Sequence, residues 1–245
     1  MNLVMNTLMS VVIFASATAI AQQPFAKDSF DTSGGKLEIT FIGHGTLMCE
    51  YDGKVIHVDP VSREADYTRL PKADLILVTH EHGDHLDAAA IDLIEKEDAE
   101  IVLTRVCRER LGRGLMMKNG DTKTVCGLKI EAVPAYNVVH KRSNGEAYHP
   151  RGRGNGYVVT FGDIRVYFAG DTENIPEMGD LKNIDIAFLP MNLPYTMSPE
   201  MASAAARSFM PGILYPYHYG STDPKKLVSL LKDASDIEVR IRELQ

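Results

Sequence analysis

Nine residues, Thr79 to Asp87, read T-H-E-H-G-D-H-L-D and crowd metal-coordinating groups together. His80, His82, Asp84 and His85 give the spacing H-x-H-x-D-H. Imidazoles packed this closely repel one another when protonated, a penalty that a shared divalent cation removes. The donor set suits zinc, iron or manganese. Glu81 invites comparison with the H-E-x-x-H zinc helix. That pattern fails, because its fifth position is Asp84 and the segment follows a strand.

Such a patch cannot close a two-cation site alone. Two distant donors occupy comparable places. Asp171, in A-G-D-T, follows the apolar run IRVYF, and His218, in Y-H-Y-G, follows GILYP. An Asp in a Gly-Asp-Thr turn is ordinarily a turn residue, and a lone His is ordinarily structural. Their shared position after buried strands sets these two apart.

The elements that must position these donors are short apolar strands. LEITFIG, TLMCEY and KVIHVDP predict three successive strands, the last two joined by a Tyr-Asp-Gly-Lys turn. Asp74 to Thr79 is a continuous apolar run, which predicts a buried strand. Asp87 caps a helix over AAAIDLIEK. Further strands are expected at 101–104, at 124–133 with a turn at Gly127, at 156–161 and at 164–169. Others follow at 184–190, 212–217 and 237–241. Ser198 and Pro199 start a helix reaching about Phe209, and Asp223 and Pro224 open the last one. Meanders with interspersed helices favour a mixed, layered α/β (α+β) fold in a single domain.

The 245-residue chain carries a net charge of -7, which disfavours nucleic-acid binding, since phosphate neutralisation needs surplus Lys and Arg. Cys49, Cys107 and Cys126 form no Cys-x-x-Cys pattern, which argues against a cysteine zinc knuckle. Their number leaves room for one disulfide of unspecified pairing. Residues Leu8 to Ala21, LMSVVIFASATAIA, end in a small-x-small site, Ala19-Ile20-Ala21. Residues 1–21 are therefore expected to be a signal peptide, making the chain periplasmic or secreted, with no stable membrane anchor once cleaved. No Lys or Arg precedes the apolar stretch, so an uncleaved anchor is the alternative. Residues 22–35 are expected to be a polar leader and 36–245 the folded domain.

The set H-x-H-x-D-H, then A-G-D-T, then a late His-Tyr-Gly resembles the metallo-β-lactamase superfamily. More narrowly, it is similar to that superfamily's metal-dependent hydrolase branch of lactonase-like (ascorbate-6-phosphate lactonase-like) proteins. GHGTLMCEYDGKVIHVDP, VPAYN, YHPRGRGNGY, AGDTENIPEM and PYTM carry the likeness, over Leu37 to Gly220. The resemblance implies an αββα sandwich and two divalent metal ions, with zinc expected and manganese or iron as alternatives. It implies that His80 and His82 hold the first cation, that Asp84, His85 and His218 hold the second, and that Asp171 bridges them. The superfamily usually supplies one more histidine after the strand ending near Pro134, where this chain has Asn137. His149, in an aromatic-His-Pro phrase, is the favoured substitute and His140 the alternative. Asp59 and His44 match positions close behind the ligands, Asp59 orienting a ligand histidine.

Two cations about 3.5–4 Å apart acidify a bridging water, and the hydroxide attacks a carbonyl or phosphorus centre. Asp84 is expected to orient that water and take its proton. The implied activity is hydrolysis of an ester, lactone or phosphoester. Iron-dependent relatives often place Glu where His82 stands, so an oxidoreductase on the same fold is a competing reading, and a degenerate metal-binding module is another. The expected substrate is a small molecule. Arg151 and Arg153 raise the option of an anionic one, and Tyr195, Met197 and Asn192-Leu193-Pro194 are candidate pocket walls.

Overall fold

Apolar alternation broken by tight turns builds two seven-stranded sheets in the computed structural model, which describes residues 25–244. The expected signal peptide lies outside the described residues. The first sheet holds β1 (Ala26–Thr32), β2 (Gly35–Gly43), β3 (Thr46–Tyr51), β4 (Lys54–Val58), β5 (Ala73–Leu77), β6 (Glu95–Leu103) and β7 (Leu115–Met116), side by side in that order. The second holds β8 (Thr122–Val125), β9 (Leu128–Ala135), β10 (Gly154–Phe161), β11 (Ile164–Phe168), β12 (Ile186–Pro190), β13 (Ile213–Tyr217) and β14 (Glu238–Val239), also in order.

Both sheets follow one plan. Their first four strands pair antiparallel and the later pairings are parallel. Parallel strands gather their carboxyl ends on one side, where open α/β sheets place ligands. The ends of β4, β5, β11 and β13 lead directly to Asp59, His80, Asp171 and His218.

The strands alternate between two cores. Leu75 and Leu77 of β5 face the second sheet, while Ile76 and the following Val78 face outward. Between the sheets, Leu37, Ile39 and Phe41 meet Phe168, Phe188 and Tyr215, with Phe41 and Tyr215 ring centroids 5.1 Å apart. The helices α1 (Ala88–Ile94) and α2 (Arg105–Leu111) cover the outer face of the first sheet through Ala90, Ile91, Ile94 and Cys107. The helices α3 (Pro199–Phe209) and α4 (Lys225–Leu230) cover the second through Ala202, Ala206, Phe209 and Leu227. The layers are αββα. Asp87 caps α1 by accepting from the Ala89 and Ala90 amides, and Ser198 caps α3 with Pro199 just inside.

Three expectations need correction. The stretch read as a polar leader is largely β1, an edge strand paired with β2 from Ala26↔Phe41 to Thr32↔Gly35. Its polarity reflects a solvated outer face. Its inward residues hold on through Phe30 and through Asp28, which accepts from Arg242 Nη2 at 2.7 Å. The first helix stops at Ile94. Glu95 and Lys96 instead open β6, where Lys96 donates to Asp74 at 2.6 Å. Finally, α2 was not expected; Thr104 caps it and the left-handed Gly112 ends it. The three cysteines are free thiols. Among the described residues no helix is long and apolar enough to cross a membrane.

Candidate metal centre

Two donor groups converge beyond the strand ends. His80, His82, His149 and Asp171 form one, and His44, Asp84, His85 and His218 the other. In the first, His82 Nδ1 lies 3.2 Å from His80 Nε2 and 3.1 Å from His149 Nε2, and His149 Nε2 lies 3.2 Å from Asp171 Oδ2. In the second, Asp171 Oδ1 lies 3.3 Å from His85 Nε2 and 3.4 Å from His218 Nε2, which is 3.6 Å from Asp84 Oδ2. Asp171 thus turns one oxygen to each group.

Several of these atoms have no other partner. His85 Nε2, Asp171 Oδ1 and His218 Nε2 are buried without a hydrogen bond. Each such atom costs about 1–3 kcal/mol when left unsatisfied. Two nitrogens bound to a tetrahedral zinc at about 2.0–2.1 Å stand roughly 3.4 Å apart. The observed separations fit that spacing, so the residues present suit divalent cations. His80, His82 and His149 would hold one, Asp84, His85 and His218 the other, and Asp171 both.

Hydrogen bonds behind the donors set which nitrogen faces inward. Asp59, fully buried, accepts from the Thr79 amide (2.7 Å), from Thr79 Oγ1 (2.6 Å) and from His85 Nδ1 (2.8 Å). That leaves His85 Nε2 to the cluster. His149 Nδ1 donates to Asn137 Oδ1 at 2.7 Å, which leaves its Nε2 inward too. His44 Nε2 sits 3.3 Å from Asp84 Oδ2, its ring 3.8 Å from that of His218. Backbone strain gathers here as well: His44, Asp59 and His218 all have φ near +45 to +49°, a region non-glycine residues seldom occupy.

The electrostatics follow. Burial opposes charge on Asp171 and Asp84, yet facing imidazoles win and hold both carboxyls below their ordinary range, His218 and His85 acting on Asp171, His218 and His44 on Asp84. Burial also opposes charge on His85, but Asp171 and Asp59 outweigh it and push the ring up to about 9. Burial and neighbouring imidazoles lower His80 and His82, keeping them neutral. Carboxylates held ionised beside the neutral His80 and His82 rings form a site that attracts cations.

Not every expected residue joins the site. His140 Nδ1 turns away to Glu173 Oε1 at 2.6 Å and takes no part. Arg151 extends over the Tyr136 ring to Glu177, and Arg153 pairs with Glu81 beside a crevice of about 10 Å³, too small for a substrate. Both arginines are therefore withdrawn as substrate contacts: distant acids already hold them. Met197 is fully buried in the core. The open cleft over the donors, about 350 Å³, is walled by Arg142, Tyr148, Asn192 and Tyr195.

Residues 38–218 match the family described as the beta-lactamase superfamily domain. The chain belongs to the metallo-β-lactamase superfamily. A UPF0173 metal-dependent hydrolase from Methanopyrus kandleri is 32% identical over 220 residues, covering 85% of this chain and 93% of that one. A crystal structure from Parabacteroides distasonis, described as a metal-dependent hydrolase, is 60% identical with a TM-score of 0.86, covering 90% of this chain and all of that one. Igni18, a metallo hydrolase from Ignicoccus hospitalis, is 26% identical with a TM-score of 0.71, covering 84% and 95%. This metallo-β-lactamase-fold chain is a metal-dependent hydrolase.

In this metallo-β-lactamase domain, close backbone approach brings the two sheets' donors together. Gly170, at φ +64°, packs where a Cβ would come within 2.9 Å of Thr79 Cβ, which sets Asp171 beside His80. A Cβ on Gly45 would fall 2.9 Å from His85 Cε1. His85 cannot yield, because it is fully buried and tied to Asp59. Gly45→Ala should therefore weaken metal binding about 10–100-fold, the range for disturbed ligand support. Titration with a competing chelator checks this; an unchanged affinity would show that His85 has room to move.

Sequence reading missed Glu173, Gly45 and Arg142, and met Asn137 only as an absent ligand. Glu173, two residues after Asp171, carried a faint signal as an acid beside a motif. Arg142 carried none.

Proposed function

We propose that this chain hydrolyses an ester, lactone or phosphoester of a small molecule with two divalent cations, zinc foremost. The observation that carries the reading is Asp171, which presents one oxygen to each of two histidine-rich groups. Cations held there would acidify a water and polarise the scissile oxygen. The chain's own residues do the rest. Asp84, a third exposed at the cleft floor, turns Oδ2 to His44 and His218 in the donor group, which leaves Oδ1 to orient the attacking water and receive its proton. Asp171, buried among imidazoles, holds its charge and position instead. Tyr148 and Tyr195, with ring centroids 5.1 Å apart, wall the open cleft. The likeness to the lactonase-like branch puts lactones first among substrates. The N-terminal apolar segment and its Ala-Ile-Ala site support a cleaved signal and a periplasmic or secreted enzyme.

Elemental analysis of the purified chain, followed by a screen of lactones, phosphodiesters and thioesters, tests the proposal. Two zinc or manganese ions per chain with turnover of one class supports it. Iron with oxygen consumption, or no bound metal, overturns it.

A further inference from the structure

The cleft holds an arginine that pairs with no carboxylate. Arg142 rides on a small hairpin in which its amide donates to Glu146 O (2.7 Å), the Gly145 amide donates back to Arg142 O (2.9 Å), and Lys141 bridges to Ala147. The guanidinium lies over the Tyr148 ring, 5.1 Å from its centroid, and donates to Tyr148 O at 3.3 Å. Among the described residues, Arg151 and Arg153 beside it each pair with a carboxylate, whereas none lies within 4 Å of Arg142; Arg69, Arg108 and Arg110 also lack such a pair, but only Arg142 lines the cleft. The cleft's two carboxylates, Asp84 and Asp171, face the imidazoles of the donor groups, so Arg142 faces the cleft without an ion pair.

A second observation shows what it lacks. Arg142 Nη2 stands 3.5 Å from His82 Nε2. His82 directs Nδ1 at the donor cluster, so its proton resides on Nε2. Both atoms are then donors, and neither can accept from the other. Two N–H groups converge on one point of the cleft with no acceptor between them. An oxyanion placed there accepts from both, and the planar guanidinium can meet a carboxylate or phosphate through two N–H groups.

We propose that Arg142 and His82 Nε2–H form an oxyanion subsite that recognises a carboxylate or phosphate on the substrate. The donor cluster lies one imidazole width away, across His82, so the anionic group sits only a few bonds from the bond that is cut. The proposal deepens the hydrolase reading, on which the position of the scissile bond rests. Anion binding by Arg142 stands independently of turnover.

Calorimetry on the metal-loaded chain tests it, with succinate and glycerol 2-phosphate as probes and dimethyl succinate as the uncharged control. Wild type should bind at least one anion and not the diester. Arg142→Gln should weaken that binding about tenfold or more with metal content unchanged. Arg142→Lys should fall between them, and Arg151→Gln, whose guanidinium is held by Glu177 outside the cleft, should match wild type. A loss confined to succinate assigns a carboxylate, and one confined to glycerol 2-phosphate assigns a phosphate. Equal affinities in Arg142→Gln and wild type, no anion binding by wild type, or metal loss in Arg142→Gln each overturn the subsite. Turnover of the lactone, phosphodiester and thioester panel, followed in parallel, separates the two readings. Arg142-dependent binding without any hydrolysis keeps the subsite and sinks the hydrolase. Hydrolysis with Arg142-independent binding does the reverse.

Discussion

Asp171→Ala should strip the chain of tightly held metal and lower kcat/KM by about a thousandfold or more, roughly 4 kcal/mol of transition-state stabilisation. The expectation follows from its two oxygens. Oδ2 faces the His149 and His80 rings at 3.2 and 3.7 Å, and Oδ1 faces the His85 and His218 rings at 3.3 and 3.4 Å. Among the described residues no other carboxylate lies between both groups in this way. Asn at this position keeps the shape but removes the charge and turns an N–H toward one set of imidazoles, so Asp171→Asn should fail similarly. Metal analysis by mass spectrometry reads the first effect and steady-state kinetics the second. Thermal melting supplies a third readout. A ligand that binds only the native state stabilises it by about 2.7 kcal/mol at a hundred times its Kd. A strong chelator should therefore lower the melting temperature of wild type and leave Asp171→Ala nearly unmoved. Two metal ions retained by the alanine variant would remove Asp171 from the bridging role.

The parts of the site legible in the sequence are those encoded locally. The H-x-H-x-D-H run carries its own spacing, and the apolar strand before it tells where it emerges. Asp171 and His218 were reachable by the same logic, each following a buried strand whose parallel neighbours bring it to the same side. His149 follows no strand and needed the family resemblance to separate it from His140. What the sequence concealed depends on pairs distant along the chain. Arg151 reads as a free cation until Glu177, 26 residues on, folds against it. Arg142 reads as a solvated loop residue until the hairpin turns it over the cleft. The first strand was hidden for another reason. An edge strand with one solvated face has a composition close to that of a leader, and only pairing with β2 distinguishes them. The layers themselves were plain, since β12 and the Leu75–Leu77 part of β5 are apolar on both faces, as strands covered on both sides must be.

Glu173→Gln should destabilise the fold by about 3–5 kcal/mol, the range for breaking a buried charged network, and should loosen the first metal group as well. Glu173 is completely buried, and its carboxylate gathers one turn of chain. Oε2 accepts from the Val138 and Val139 amides at 2.7 and 2.6 Å. Oε1 accepts from the His140 amide, His140 Nδ1 and Asn137 Nδ2 at 2.7, 2.6 and 3.0 Å. An amide replaces one acceptor with a donor, so at least two buried N–H groups lose their partner. The damage extends to the metal through Asn137. Glu173 accepts only, which forces the Asn137 NH2 toward it and the Asn137 oxygen toward His149 Nδ1. That oxygen in turn keeps the lone pair of His149 Nε2 pointed at the donor group. A glutamine can accept or donate, so it no longer dictates how Asn137 is turned. The pH dependence has a definite sign. Burial would raise the Glu173 pKa, but the surrounding N–H groups outweigh it and hold the carboxyl below 4.5. A depressed pKa contributes stability that is present above the unfolded value and lost as pH falls through the folded one. Wild type should therefore lose stability below about pH 4.5 more steeply than Glu173→Gln, which has no such proton to take up. Denaturant melts at pH 7 and pH 4 check both expectations. Equal stabilities of the two proteins at pH 7 would show that the turn holds without this carboxylate, and intact metal affinity in the variant would show that His149 needs no such alignment.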